Sequence, residues 1–391
     1  MREVDAREFA VATAATPDVV DALGRLGRTE DVRIAPRNDR LVLAAFDREL
    51  LAVVDFTITV DGGHPQVQVS HVDELRSPRL HLPHGVDFLD DATLLVANCT
   101  GDLAVLHLPC DREAAGASGR LTAFDPSPAH GFELVGAPSS VLVDHQRDDV
   151  DVLVCYNADH AVSRHRVRMS APDPPMVTRN DVLLRYGLVV PDSAAVSRDG
   201  HWLAVSNHGR HVVMLYERSS PLDESSRPQG ILRGLTYPHG ARFTADGRHL
   251  FVADAGRPYV HVFAQRGVSW AGVHHPTLSL RVMDDETFAR GHRNPQEGGP
   301  KGIDLDRSGR VLVLTCECVP LAWFDVDPIM ERCADTAPDE TDVAYELGAM
   351  EEAEAELRIA EARLASVKQS RVLQMTAPLR DRYTRWRRRN N

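Results

Sequence analysis

The amino-acid sequence predicts an all-β fold, a six-bladed β-propeller, followed by a C-terminal α-helix and a basic tail. A unit of about fifty residues recurs six times before residue 330, and a repeat of this length is typical of propeller blades. Within each copy, apolar residues alternate with period two between glycine-containing turns, which predicts antiparallel hairpins. Beyond residue 341, helix-forming residues replace this pattern. We therefore divide the 391-residue chain into a propeller at 1–330, a linker at 331–341 and a helical, basic segment at 342–391.

The repeat is clearest between residues 237 and 265, YPHGARFTADGRHLFVADAGRPYVHVFAQ. A Pro-x-Gly motif precedes the first strand, an Asp-Gly turn separates it from the second strand, and a Gly turn leads to the third. Aligning the copies gives one equivalent position in each, at separations of 54, 55, 53, 47 and 62 residues: Glu30, His84, Ser139, Asp192, His239 and Lys301. We refer to these six as the ring residues, because the innermost strands of a propeller surround its central channel.

Fourth strands are less distinct in the sequence. Candidates begin at Gln66, Arg120, Val182, Ile231 and Thr277. The sixth copy has no candidate after Val326, so we expect residues 7–14, REFAVATA, to supply its fourth strand and close the ring without a free sheet edge. A short helix is expected next, with Thr16 as its N-cap and Pro17 in its first turn.

Five of the six ring residues are ionisable, and their side chains are expected to converge at one mouth of the channel. Two imidazoles and two carboxylates there suit one divalent cation, Zn, Mn or Ca. The proposed metal ligands are Glu30, His84, Asp192 and His239. Asp192 and His239 are also candidate catalytic bases, Lys301 is expected to stabilise an oxyanion or an anionic substrate group, and Ser139 is a candidate ligand contact. The alternative, in which ring residues only hydrogen-bond the neighbouring blade, stays open.

Loops between the second and third strands should open on the same face as the ring residues. Most of them carry Asn or Asp close to Gly, which are turn-forming residues. Turn chemistry explains three other side chains less well, and these are predicted to contact a ligand: His160, His208 and Glu317. An insertion that starts at Asp284, DDETFARGHRNPQEGG, precedes the sixth copy, and we expect it to reach this face as a lid.

Charge and apolar content limit the partners of the chain. Its net charge is −13, from 44 Lys and Arg and 57 Asp and Glu. Ten Lys and Arg and two acids follow from Leu357 onward, a local balance of +8 that leaves −21 for the rest, so nucleic acid is not an expected partner.

No apolar run approaches the ~18–20 residues that span a bilayer, and the start lacks the pattern of a signal peptide. We expect a cytoplasmic protein whose six cysteines, without a CxxC pair, form no disulfide framework.

The last fifty residues have the pattern of a helix followed by a basic amphipathic tail. Apolar residues recur at three- and four-residue steps as a heptad seam: Met350, Ala353, Leu357, Ala360, Leu364 and Val367. We expect this helix to self-associate as a coiled coil or to bind a protein partner, with packing on the propeller as the alternative. Beyond Pro378, Tyr383 and Trp386 lie among arginines, a pattern that fits peripheral contact with the inner membrane, with a solvated tail as the open alternative.

The repeats resemble the six-bladed propellers of the NHL, YVTN-repeat and gluconolactonase (senescence-marker) type. The motifs that carry the resemblance are Pro-His-Gly and the Val-Ala-Asn and Val-Ala-Asp strand ends, at Pro83, Pro238, Asn98 and Asp254. The resemblance implies the six-bladed fold, but it does not imply one activity, because propellers host hydrolases, lyases and binding platforms.

The resemblance to gluconolactonases extends only partly to their metal site. Members of that family hold a divalent metal with a Glu in the first blade, which Glu30 matches. This chain has Ser139, Asp192 and His239 where the family has Asn, Asn and Asp, so the remaining ligands and the catalytic base do not carry over. Peptide-amidating lyases bind zinc with three histidines, of which only two are present at the ring positions here.

The C-terminal tail resembles one found on bacterial glycosyltransferases and methyltransferases of cell-surface polysaccharide assembly. The matching residues are Ser370, Thr376, Ala377, Pro378, Leu379 and Arg380. We therefore predict a binding or accessory module of bacterial envelope polysaccharide assembly, with a small molecule or glycan at the channel mouth. The alternative is a divalent-metal-dependent, lactonase-like hydrolase or lyase that uses the ring residues.

Overall fold

A computed structural model of the chain describes residues 2–108, 120–122, 138–145, 150–170, 173–292, 294, 296–333 and 348. The chain divides into two compact units, Met1–Glu340 and Thr341–Asn391. The predicted C-terminal helix and basic tail lie, apart from Gly348, outside the described residues. No helix in the described part of the chain is long and apolar enough to cross a membrane.

The first unit is a six-bladed β-propeller, as the repeat predicts. Two strands and a helix precede the first blade: β1 (Arg2–Asp5), β2 (Ala12–Ala15) and α1 (Pro17–Gly24). Blade one contains β3 (Thr29–Ile34), β4 (Arg40–Ala45), β5 (Leu50–Asp61) and β6 (His64–Arg76). Blade two contains β7 (Pro83–Phe88), β8 (Thr93–Asn98) and β9 (Leu103–His107), and a short strand, β10 (Arg120–Thr122), follows it. Blade three contains β11 (Ser140–Asp144), β12 (Val150–Tyr156), β13 (Ala161–Ser170) and β14 (Asp173–Leu184).

The second half of the ring repeats the same antiparallel arrangement. Blade four contains β15 (Pro191–Val196), β16 (Trp202–Asn207), β17 (Val212–Glu217) and β18 (Gly230–Leu232). Blade five contains β19 (Pro238–Phe243), β20 (His249–Asp254), β21 (Tyr259–Ala264) and β23 (Leu278–Arg281), and β22 (Gly272–His274) joins β18 of blade four in parallel. After α2 (Asp285–Gly291), blade six contains β24 (Pro300–Leu305), β25 (Val311–Cys316) and β26 (Ala322–Asp325), and α3 (Val326–Arg332) follows. Contacts between the innermost strands run in order around the ring and join β24 to β3.

The N-terminal segment closes the ring differently from the prediction. We expected residues 7–14 to form the fourth strand of blade six, but β1 pairs in parallel with β23 of blade five and β2 with β6 of blade one. Residues 6–9 form a 3-10 turn, because the Asp5 side chain accepts a hydrogen bond from the Arg7 amide and caps it. Blade six is contacted by a β-bridge between Ala10 and Phe324 and by a 2.9 Å hydrogen bond from the Val11 amide to the Trp323 carbonyl. Residues 2–15, the N-terminal strap, therefore run across the outer edges of three blades.

Fourth strands occur at four of the five predicted segments. The segment at Arg120 is the exception: β10 pairs in parallel with β6 of blade one, so it does not complete blade two. After β26, the Asp325 side chain accepts from the Asp327 amide and the chain turns directly into α3, which explains why blade six has no fourth strand of its own among the described residues. The predicted helix α1 begins at Pro17, after an extended Thr16 whose side chain makes no capping bond.

Close packing of the inner strands accounts for the Pro-x-Gly motif. A Cβ atom on Gly85 would lie 2.5 Å from the Cα of Ser140 in the next blade. One on Gly302 would lie 2.5 Å from the Cα of Asp31 in blade one. Both distances are shorter than van der Waals contact allows, so the glycine after the ring residue lets adjacent inner strands approach each other.

Inner-strand aspartates also tie each blade to the next. Asp87 of blade two accepts a 2.7 Å hydrogen bond from the Val143 amide of blade three. Asp304 of blade six accepts a 2.9 Å bond from the Ile34 amide of blade one. Apolar side chains fill the layers between blades; for example, Trp323 of blade six packs in one cluster with blade-one residues. Neighbouring blades are thus joined both by hydrogen bonds between their inner strands and by apolar packing.

Candidate metal centre at the channel mouth

All six ring residues are buried at one mouth of the channel, with relative exposures between 0 and 6%. A carboxylate or lysine this deeply buried requires a compensating charge nearby. The ring supplies it, because the side chains of opposite sign lie within ion-pair distance of each other across the channel.

The residue that ends the second strand of a blade positions the segment before the ring residue. Asp254 accepts hydrogen bonds from the Thr236 and Tyr237 amides, at 2.8 and 2.9 Å, directly ahead of Pro238 and His239. Asn207 accepts from the Val189 amide and Asn98 from the His81 amide, each three residues before a ring residue. These turn-forming side chains therefore fix where the inner strands begin, which is the structural role expected of them.

Glu30, His84 and His239 form a group that can hold a metal ion. Their ligand atoms all lie within 4.8 Å of one another. The Glu30 Oε2 atom lies 3.6 Å from His84 Nε2 and 3.5 Å from His239 Nε2. Among the described residues, neither Glu30 Oε2 nor His239 Nε2 makes a hydrogen bond of normal geometry, although both atoms are buried. Two imidazoles and a carboxylate whose ligand atoms converge in this way are compatible with a divalent metal.

Asp192 completes the acidic side of this group. Its Oδ2 atom lies 3.1 Å from His239 Nε2, and its Oδ1 atom lies 3.9 Å from His84 Nε2. His208 approaches from the other side, with Nδ1 3.7 Å from Asp192 Oδ2. Four of the predicted site residues thus meet Glu30 around one point.

A cationic half of the site adjoins the metal group. The Lys301 Nζ atom, with an exposure of 0%, lies 2.9 Å from Glu30 Oε1, 3.1 Å from Glu297 Oε2 and 3.5 Å from Glu317 Oε1. Arg28 donates to the same Glu30 oxygen and lies 3.2 Å from Glu297 Oε2 and 3.4 Å from Glu317 Oε1. Two cations and three carboxylates are therefore packed beside the histidines.

Burial and mutual charge set the protonation of these groups. Burial opposes ionisation of Glu30, but Lys301 and His84 outweigh it and hold its pKa well below the usual range. Burial likewise opposes the charge on Asp192, yet the nearby imidazoles, His239 first, lower its pKa. Burial disfavours a charged His239, but Asp192 and Glu30 raise its pKa. In the metal-free protein, the ionised carboxylates and a proton on His239 therefore stabilise each other.

The remaining predicted ligand contacts lie at different depths. The Ser139 hydroxyl donates to Asn157 Oδ1 at 2.6 Å, and Asn157 Nδ2 donates to Asp192 Oδ1 at 3.4 Å, so Ser139 reaches the cluster through Asn157. Glu317 and His208 are buried within the cluster. His160 is exposed, and its Nδ1 atom accepts from the Val190 amide. It therefore holds the loop before Asp192 and lies outside the ionic cluster.

Two charged side chains of this cluster, Arg28 and Glu297, were not among the predicted site residues. Arg28 lies two residues before Glu30. The equivalent positions of three other copies hold uncharged residues: Leu82, Val190 and Tyr237. The charge at this position was therefore the sequence feature that could have identified Arg28 as a site residue. Glu297 lies in the insertion predicted as a lid, which has no counterpart in the other copies. The insertion does reach the site face, since its Glu297 contacts Lys301.

Comparison with known proteins supports the fold. No family model matches the chain, and no curated protein matches it. A luciferin-regenerating enzyme matches 78% of this chain and 92% of its own, at 12% identity and a TM-score of 0.50. A candidate gluconolactonase matches 76% of this chain and 89% of its own, at 15% identity and a TM-score of 0.48. The calcium-binding protein regucalcin of Agrobacterium tumefaciens strain C58 matches 80% and 95%, at 13% identity and a TM-score of 0.42.

The six sheets define the class of protein: the chain is a six-bladed β-propeller. At 12% identity and a TM-score of 0.50, the match to the luciferin-regenerating enzyme shows likeness of fold alone. What the site does must be argued from its own side chains.

Proposed function

We propose that this propeller is a divalent-metal-dependent hydrolase that opens a lactone or a related ester at the channel mouth. The observation that carries the proposal is the convergence of Glu30 Oε2, His84 Nε2 and His239 Nε2, three buried ligand atoms that all lie within 4.8 Å of one another. Two imidazoles and one carboxylate are a donor set used by catalytic zinc sites.

Each residue has a definite role in this proposal. Glu30, His84 and His239 would hold the cation, which supplies Lewis acidity toward a carbonyl oxygen when bound. Asp192 is the candidate general base, because its carboxylate is ionised and lies beside the metal ligands. Lys301 keeps Glu30 ionised and oriented through its 2.9 Å hydrogen bond. Asn157 orients Asp192.

Metal analysis of the purified full-length protein tests the proposal. We expect one equivalent of divalent metal, a fall in the thermal midpoint on chelation, and metal-dependent hydrolysis within a panel of lactones. His239→Gln should abolish all three effects. His201→Gln is the matched control, because His201 is exposed and its imidazole pairs with Glu217 of the same blade instead of a ring residue. A protein that holds no metal and is insensitive to chelation contradicts the proposal.

A second candidate is a glycan-binding module of bacterial envelope polysaccharide assembly. Its support is the tail motif at Thr376–Arg380, which lies outside the described residues. The C-terminal helix would then bind a protein partner, and the basic tail the inner membrane. Glycan binding by a metal-loaded protein that hydrolyses no lactone, together with loss of partner capture when residues 342–391 are deleted, would favour this candidate. Unchanged fractionation and partner capture after that deletion would exclude it.

A further inference from the structure

Three N–H donors converge on one oxygen of Glu297. The Oε2 atom accepts from Asn294 Nδ2 at 3.0 Å and from Arg28 Nη2 at 3.2 Å, and it lies 3.1 Å from Lys301 Nζ. Donors of this number and charge around one oxygen form a binding site for a carboxylate. In this structure the carboxylate comes from the protein itself.

Glu297 is the surplus member of its charge cluster. Glu30 and Glu317 alone balance the two cations, Arg28 and Lys301, so Glu297 adds a third carboxylate to a group whose other charges already cancel. Burial and repulsion from Glu30 oppose ionisation of Glu297, but Lys301 outweighs them and lowers its pKa, so this position favours a negative charge. The cluster does not need this carboxylate for its own neutrality.

The carboxylate of Glu297 can also move out of the charge cluster more easily than those of Glu30 and Glu317. The side chains of Glu30 and Glu317 are 0% and 1% exposed and lie at the inner strand and at the end of β25, whereas that of Glu297 is 13% exposed and belongs to the insertion. Rotation about its side-chain bonds removes the carboxylate without moving a strand. Arg28 and Lys301 are held in place by their contacts with Glu30.

We infer that Arg28, Lys301 and Asn294 form a subsite for a ligand carboxylate, and that Glu297 occupies it when no ligand is bound. As a refinement of the proposed function, on which it rests, this inference names the substrate class: a small lactone or ester that bears a carboxylate of its own. Lys301 contacts both Glu297 and Glu30, so the bound carboxylate lies next to the metal group.

Acetate binding to metal-free, full-length protein tests the subsite. Glu297→Ala vacates the site, so acetate should bind this variant at least tenfold more tightly than it binds wild type, and should raise its thermal midpoint. Acetamide, which has the same shape without the charge, should do neither. Glu286→Ala is the matched control, because Glu286 is an exposed carboxylate on α2 of the same insertion. Adding Arg28→Gln to Glu297→Ala should abolish the acetate effect.

Equal responses to acetate and acetamide, or equal responses of Glu297→Ala and Glu286→Ala, would overturn the inference. If Glu297→Ala fails to fold, Glu297→Gln keeps the bulk of the side chain and removes the competing charge, and acetate should still bind it more tightly than wild type. Metal is removed by chelation and the chelator by dialysis before the acetate titrations, and metal uptake is measured on a separate sample. Acetate binding without metal uptake would support the subsite and exclude the hydrolase. Metal uptake without acetate binding would support the hydrolase and exclude the subsite.

Discussion

The imidazole rings of His84 and His239 stack, with centroids 5.2 Å apart and planes inclined by 22°. The two residues belong to blades two and five, which lie opposite each other in a ring of six. Their contact means that ring residues reach across the axis and fill the channel at this mouth. A ligand would therefore reach the ring residues from the solvent side of this mouth. On that route it passes the loops that carry His160 and His208, and the insertion that starts at Asp284.

Asn157→Ala should weaken divalent-metal binding about tenfold to a hundredfold. Residues that do not bind a metal themselves but orient the side chains around it typically contribute this much to the affinity. Asn157 Nδ2 donates to Asp192 Oδ1, which lies beside both histidines. Competition with a chromogenic chelator measures the affinity. His160→Ala is the control, since His160 lies on the same face and bonds only the Val190 amide among the described contacts. Equal affinities of both variants would show that Asn157 does not position the site.

Lys301→Met should destabilise the protein by about 3–5 kcal/mol, the usual result of removing one partner of a buried ion pair. The variant leaves Glu30 and Glu317 buried without the ammonium between them. Urea unfolding of the metal-free protein gives the free energy. Arg7→Met removes an exposed cation paired with Asp5 and should leave the midpoint unchanged. A Lys301→Met midpoint equal to that of wild type would mean that the cluster does not need this charge.

Gly85→Ala should cost about 3 kcal/mol, because its Cβ would lie 2.5 Å from backbone that cannot move without displacing blade three. Gly24→Ala is the matched control: no atom lies within 4 Å of its Cβ position, and it ends α1, where alanine favours helix. Chemical denaturation of both variants separates the close approach of strands from a general effect of glycine. Equal stabilities would contradict the packing explanation of the Pro-x-Gly motif.

Stability should fall as the pH drops from 6.5 toward 4, in part through His165. Burial lowers the pKa of this histidine from 6.5 to about 4, so the folded state resists a proton that the unfolded state accepts. Stability from this group is therefore present above pH 6.5 and is lost as the pH falls, by about 3 kcal/mol in total. His165→Gln should flatten the pH dependence of urea unfolding by that amount. His64→Gln, at an exposed position, should preserve the wild-type slope.

The propeller was predictable from the sequence because its geometry repeats. Period-two alternation and the Pro-x-Gly motif encode the inner strand in copy after copy, so one alignment located Glu30, His84 and His239 together. The repeat also placed Lys301 correctly at the same mouth, although nothing in it indicated that three carboxylates surround the ammonium.

Features without a repeat were not predictable in this way. Glu297 lies in an insertion, and its partners are set by how that insertion folds back rather than by any period. The N-terminal segment alternates like a strand, but the Asp5 cap turns residues 6–9 into a 3-10 turn, and the pairing shifts to the neighbouring blades.

The N-terminal strap changes which blades of the propeller can unfold independently. In a repeat array, each unit contacts only its neighbours, and one unit can open by itself. Here one stretch of chain hydrogen-bonds blade five through β1 and blade one through β2, with blade six between them. Blade six, which supplies Lys301 and Glu317, cannot detach alone. The three blades at the seam of the ring should exchange their amide hydrogens as one cooperative unit, slower than blade two, which has three strands among the described residues.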